Sequence, residues 1–199
     1  MRLSSDMNTD LILPHRPQAE LETSLDKTLK DKSDLHRGVW VFVYGLLAYN
    51  PPFKYVSCQP QVLQGWQRRF NLADPHNRGT PSSPGLTLGL EQEGECHGVS
   101  YLLSAVEAHE ALRKIWEQEM LLPFYIPTWM DIEGRSQLVM MTDPASPALT
   151  HPGPQETLYV IATAKGKAGT NQAYLENVID AFRRFGIEDA YLKDIQNRL

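Results

Sequence analysis

The chain has 199 residues, 42% hydrophobic composition, 22% charge and a formal net charge of -5, the make-up of one globular domain with an ordinary core. That acidic balance, with its signs interspersed, excludes the dense basic surface a nucleic acid demands. No apolar run approaches the roughly 20 residues that span a bilayer, and the opening MRLSSDMNTD lacks a signal peptide's apolar stretch, so the expectation is a cytoplasmic protein without a membrane partner.

Residues 1–37 are polar, and AELETSLDKTLKDKSDLHRG predicts one loosely amphipathic helix in an N-terminal lead-in. The domain proper is expected over 38–199. It opens with VWVFVY, Val39 to Tyr44, a continuous β-branched and aromatic run of the kind that forms a strand covered on both faces. Gly45 follows it, either as a plain turn or as part of a loop whose successive N–H groups bind a carboxylate or an oxyanion.

QVLQGWQRRFNL is a second apolar stretch, and the prolines and glycines of RGTPSSPG mark a surface loop in which Arg78 reads as loop-stabilising. LTLGL and CHGVSYLL flank EQEGE, which predicts an antiparallel hairpin turning at those five residues. A helix follows, with Ser104 and Glu107 as a capping box and Pro123 as its stop signal.

On a helical wheel that takes Leu112 as zero, Ala108, Ile115 and Trp116 fall within roughly 60°. Glu119 falls at about -20°, near the centre of this apolar face, whereas Glu107, Glu110, Arg113, Lys114 and Glu117 occupy the opposite side. One carboxylate is out of place. Glu119 is either a helix-end carboxylate that escapes to solvent or pairs with an arginine, or a partly desolvated general base.

YIPTWMDI and QLVMMTD, joined by EGRS, predict a further hairpin. Three helices close the chain, in QETLYVIATA, in TNQAYLENVIDAFRRFG with Gly186 as its stop, and in EDAYLKDIQNRL. Tyr174, in the second of these, reads as half-buried packing or as a ligand contact. Strands first and helices last, with one helix inserted, argue for an α+β fold with a mostly antiparallel sheet or small barrel.

Cys58 and Cys96 read as small buried hydrophobes. The six histidines show no HExxH spacing and there is no CxxC, so no metal site is expected. No GxGxxG or GxxxxGK[ST] occurs to cradle a nucleotide.

Taken in order, VWVFVYGLLAYNP, GWQRRF, RGTPSSPG, IWEQEMLLPFYIPTW and AGTNQAYL resemble the ChaC-type γ-glutamylcyclotransferases, in particular their bacterial branch. The likeness runs from about residue 38 to the C-terminus. It implies a small mixed or antiparallel β-barrel with surrounding helices and a pocket at one side. It also implies cleavage of glutathione into 5-oxoproline and cysteinylglycine, in which the substrate's own α-amine attacks its γ-carbonyl without metal or cofactor. Glu119 falls on the family's catalytic glutamate. Tyr44, Gly45, Leu46, Leu47 and Tyr174 fall on its substrate-binding positions. The implied partner is the small-molecule substrate, with a monomer favoured. Leu46 stands where the family has serine, which leaves two further readings open: a non-catalytic γ-glutamyl-binding protein, or a cyclotransferase for other γ-glutamyl amines.

Overall fold

The computed structural model describes residues 10–30, 32 and 35–199. The first nine residues of the lead-in, and positions 31, 33 and 34 at the end of its expected helix, lie outside the described residues. Among the described residues there are seven strands, six α-helices and one 3-10 turn at Leu35–Arg37, and no helix is long and apolar enough to cross a membrane.

A five-stranded mixed sheet forms the centre. Its strands are β1 (Val39–Val43), β2 (Ser57–Asp74), β3 (Gly85–Leu103), β4 (Tyr125–Ile132) and β5 (Arg135–Thr142), ordered β2-β3-β1-β5-β4. β1 runs antiparallel to β3, with Val39 opposite Leu103 and Val43 opposite Val99, and parallel to β5, with Val41 opposite Leu138. Val41, Phe42 and Val43 are all buried, which is why an unbroken apolar run and not an alternating one forms the middle strand. The sheet is a curled half-barrel whose edges are β2 and β4, and the fold class is the expected α+β.

The hairpin predicted at EQEGE does not exist. Residues 85–103 form one 19-residue strand paired with the 18-residue β2 along its length, and the chain reverses between them at residues 75–84. The glycine that suggested a turn sits in an irregularity: Gln64 pairs with Glu95 and Trp66 with Gln92, so Glu93 and Gly94 face the single residue Gly65. All three have positive φ, of 101°, 70° and 79° respectively. The extra residue bends the ribbon and lets it curl without breaking. The hairpin at EGRS does form, with Glu133 and Gly134 both at positive φ between β4 and β5.

The helices are α1 (Gln18–Lys30), α2 (Leu46–Tyr49), α3 (Ala108–Glu119), α4 (Pro154–Thr163), α5 (Asn171–Arg183) and α6 (Ala190–Arg198). Between α4 and α5 lies a two-stranded hairpin, β6 (Lys165–Gly166) with β7 (Gly169–Thr170). α3 buries Ala108, Leu112, Ile115 and Trp116, the stripe the wheel predicts, and Ala111 beside it. Its capping box is only half made. Ser104 Oγ accepts from the Glu107 amide (3.2 Å), but the Glu107 carboxylate takes the serine hydroxyl (3.3 Å) and does not reach back to the backbone. A turn therefore precedes the helix, which begins at Ala108 and not at the serine.

α1 packs on α3 through Leu21 and Leu25, and two indoles tie it down. Trp116 donates to Ser24 Oγ (3.2 Å) and Trp129 to the Thr28 carbonyl (3.0 Å).

Candidate active site

A cavity of about 820 Å³ opens at one end of the sheet, within the size range that holds drug-sized ligands. The C-terminus of β1, the end of α3, the 75–81 segment of the β2–β3 connection, the first turn of α5 and the β6–β7 hairpin all contribute to its wall. Tyr44, Gly45, Leu46, Leu47, Glu119 and Tyr174 all line it, although they are spread over 131 positions of sequence.

Glu119 is the last residue of α3, so the helix that buries Ile115 and Trp116 in the core ends by aiming its next inward position at open space. The side chain is half-buried because it borders the cavity, yet protein surrounds it deeply enough to disfavour its charge. Burial pushes its carboxyl from the ordinary 4.5 up to about 7, and the Arg78 guanidinium is the one charge that pulls it back. At neutral pH such a group both takes and returns protons.

Opposite it, Tyr44 ends the buried strand. Its hydroxyl donates to the Met140 carbonyl (2.5 Å), so the ring lines the cavity while the polar end ties β1 to β5. Gly45 precedes the short helix α2, whose turn is closed by Ala48 N to Gly45 O (3.0 Å) and Asn50 N to Leu46 O (3.1 Å). A Cβ on Gly45 would stand 3.3 Å from the Tyr174 hydroxyl, so a glycine here lets the strand-end loop approach α5 closely. Leu46 and Leu47 start α2, with Leu47 buried and Leu46 half-buried at the cavity wall.

Tyr174 is placed by the start of α5. Thr170 Oγ1 caps the helix by accepting from Ala173 N (3.1 Å). The fully buried Asn171 then exchanges two bonds with Leu86 of β3, accepting from its amide (2.5 Å) and donating to its carbonyl (2.8 Å). One turn on, the Tyr174 hydroxyl accepts from Thr87 Oγ1 (3.3 Å) and Leu88 N (3.5 Å), leaving its own proton free to donate. Burial raises the Tyr174 hydroxyl, with Arg78 opposing, and raises Tyr44 and Tyr125 well above the ordinary tyrosine value, with Glu119 adding to both. All three remain neutral hydroxyls at physiological pH.

Sequence reasoning missed three members. Arg78, read as loop-stabilising, is buried with its guanidinium carbon 4.2 Å from the Tyr174 ring centroid, and its charge acts on Glu119. Asp74 shapes the loop that carries it, accepting from the amides of His76 (2.9 Å) and Asn77 (2.8 Å). Tyr125 donates to the Leu88 carbonyl (2.7 Å), joining β4 to the strand that supports Tyr174. The stretches RGTPSSPG and FYIPTW held Arg78 and Tyr125, and Asp74 stood just before the first of them, but only the curled sheet gathers all three at the cavity. Among the described residues no group of three or more His, Cys, Asp or Glu side chains is arranged to hold a metal ion.

The curled mixed sheet with its surrounding helices has the γ-glutamylcyclotransferase-like α+β fold. The ChaC-like protein family model matches residues 39–199, and the chain belongs to that family. A glutathione-specific γ-glutamylcyclotransferase of Escherichia coli (strain K12) is 33% identical over 178 residues, covering 86% of this chain and 77% of its own. A protein of the same name from Schizosaccharomyces pombe is 27% identical over 192 residues, covering 85% and 91%. The crystal structure of a yeast γ-glutamylcyclotransferase specific to glutathione superposes with a TM-score of 0.70 at 23% identity, covering 79% of this chain and 96% of that one.

Proposed function

We propose that this protein is a γ-glutamylcyclotransferase that converts glutathione into 5-oxoproline and cysteinylglycine, with Glu119 as its general acid and base. The observation that carries the proposal is the Glu119 carboxyl, lifted to about 7 by burial at the wall of a cavity that also gathers Tyr44, Gly45, Leu46, Leu47 and Tyr174. The names of the relatives in Escherichia coli and Schizosaccharomyces pombe support the substrate.

In this reading the γ-glutamyl chain lies bent in the cavity, and Glu119 takes a proton from the α-ammonium. The freed amine attacks the γ-carbonyl, forming the lactam C–N bond. As the tetrahedral intermediate collapses, the original amide C–N bond breaks, Glu119 returns the proton to the leaving nitrogen, and the second proton of the attacking nitrogen passes to the released amine, which departs as its ammonium. Atoms balance without water. Much of the rate comes from holding the amine against the carbonyl, since an intramolecular attack in fixed geometry has already lost the entropy a free encounter would cost. The Leu46 and Leu47 amides, at the start of α2, receive the developing oxyanion or the α-carboxylate. Tyr174 orients the substrate through the proton its two acceptor contacts leave free.

A second reading rests on Leu46, whose half-buried isobutyl group occupies the cavity wall where the resembled family carries a hydroxyl. There the cavity would bind γ-glutamyl compounds without turnover or prefer other γ-glutamyl amines. Release of 5-oxoproline from glutathione, measured beside Glu119→Gln, decides. The variant is expected to fold and bind but to lose about a hundredfold or more of the rate, the worth of a general base. An unimpaired Glu119→Gln would overturn its role, and no release from glutathione or any γ-glutamyl compound in a panel would overturn the enzyme.

A further inference from the structure

The family match begins at residue 39, yet the cavity wall does not. Residues 10–17 form a strap without regular secondary structure that brings His15 to the cavity wall. The Leu11 amide donates to the Pro81 carbonyl (2.9 Å), His76 Nε2 lies 3.1 Å from the Leu13 carbonyl, and the Arg16 amide donates to the Leu121 carbonyl (2.8 Å). Leu13 is buried as the strap's anchor, and the ring of the exposed His15 lies against that of His76, with centroids 5.3 Å apart and the planes tilted by 60°.

The β6–β7 hairpin reaches the same loop from the other side. The Lys167 amide donates to the His76 carbonyl (2.8 Å) and the Ala168 amide to the Asn77 carbonyl (3.1 Å). Gly166 lies so close that a Cβ there would meet the Asn77 carbonyl carbon at 2.5 Å. Two segments distant in sequence thus flank His76 and carry His15, Lys165 and Lys167 to the cavity.

The other charges at this wall are occupied. Asp74 binds two loop amides, Glu117 pairs with Arg113, and Arg78 lies over Tyr174 in the field of Glu119. Among the described residues, no ion pair holds His15, Lys165 or Lys167. The deep end of the cavity therefore offers a proton-exchanging carboxylate, and its mouth offers cationic and N–H donors.

We propose that His15, Lys165 and Lys167 form a subsite at the cavity mouth that takes the distal carboxylate of a γ-glutamyl peptide, and so select peptides over γ-glutamyl amines that end without a charge. The inference rests on the reading of the Glu119 cavity as a γ-glutamyl site. A substrate with its reacting amide at Glu119 extends its leaving group outward, and a peptide leaving group ends in an anion where an amine does not. The strap makes the selection a property of this chain's own N-terminal segment as well as of the domain that follows it.

The test compares glutathione with its glycine monoethyl ester, which differs only at that carboxylate. Binding is measured by calorimetry on Glu119→Gln, and turnover on the wild type. The ester is expected to bind about tenfold more weakly, the worth of one charge-assisted contact. His15→Ala and the double variant Lys165→Ala/Lys167→Ala should each raise the Kd and KM for glutathione about two- to fivefold, with kcat nearly unchanged. Neither should alter the ester. Equal losses on both compounds, or none, would overturn the subsite even if 5-oxoproline is released. Carboxylate-dependent binding without any release would uphold the subsite and overturn the enzymatic reading instead.

Discussion

Replacing Glu119 by glutamine should stabilise the protein, and by more at alkaline than at acidic pH. A displacement of the carboxyl from 4.5 to about 7 corresponds to about 3 kcal/mol between its two protonation states. The side chain borders a solvent-accessible cavity, and screening there leaves about 1–3 kcal/mol. The direction follows from proton binding. Below 4.5 the group is protonated in folded and unfolded chains alike; between 4.5 and about 7 the folded chain keeps a proton that the unfolded chain has released, so stability falls as pH rises. Above about 7 the full cost of the buried charge is present, and glutamine never incurs it. Thermal unfolding of wild type and Glu119→Gln at about pH 5 and about pH 8 reads the difference directly. For a chain of this length the gap in Tm should widen by about 3–9 °C between the two conditions. A gap of equal size at both would mean that the carboxyl titrates as an ordinary exposed glutamate, and the acid–base role built on its displacement would fall with it.

The remaining predictions concern its neighbours. Arg78 is the one charge holding the Glu119 carboxyl down, so Arg78→Gln should move the ascending limb of the pH–rate profile, centred near 7 in the wild type, to higher pH. A limb that stayed in place or moved down would refute the coupling. Leu46→Ser should raise kcat/KM for glutathione by restoring a hydroxyl donor at the cavity wall, by a factor of about ten for one hydrogen bond. Unchanged kinetics would show that the loop works through its backbone alone.

Local signals made the middle strand, α3 with its odd carboxylate, and the three C-terminal helices legible in the sequence, because each is encoded within its own stretch. Val39 to Val43 carries its burial in its composition, and Glu119 betrays itself by position on the wheel. What failed was long-range. Glu93 and Gly94 carry the composition of a turn, and only the partner Gly65 across the ribbon makes them a bulge. The Ser104 and Glu107 pair has the spacing of a capping box, yet the hydroxyl found the carboxylate and the helix started later. The place of Arg78 at the cavity, and of Asn171 as the anchor of α5, could not be read locally because their partners, Tyr174, Glu119 and Leu86, lie 41 to 96 positions away. His15 had no motif at all. Its place depends on the strap meeting a loop more than sixty residues downstream.

The half-barrel stops short of closing, which leaves two lateral strands; among the described residues, the 148–150 segment and the Tyr191 hydroxyl cover the outer side of β2 only at Phe70–Ala73, and uncovered edge groups are of the sort that recruit foreign strands into aggregates. Each of those strands carries a proline, Pro60 in β2 and Pro127 in β4. A ring nitrogen that cannot donate is tolerated only where no ladder partner needs it, so each proline removes a donor from the outward side of its strand. An incoming chain would find an interrupted template on both flanks. The openness that makes room for a substrate cavity is thereby kept from becoming a colloidal liability.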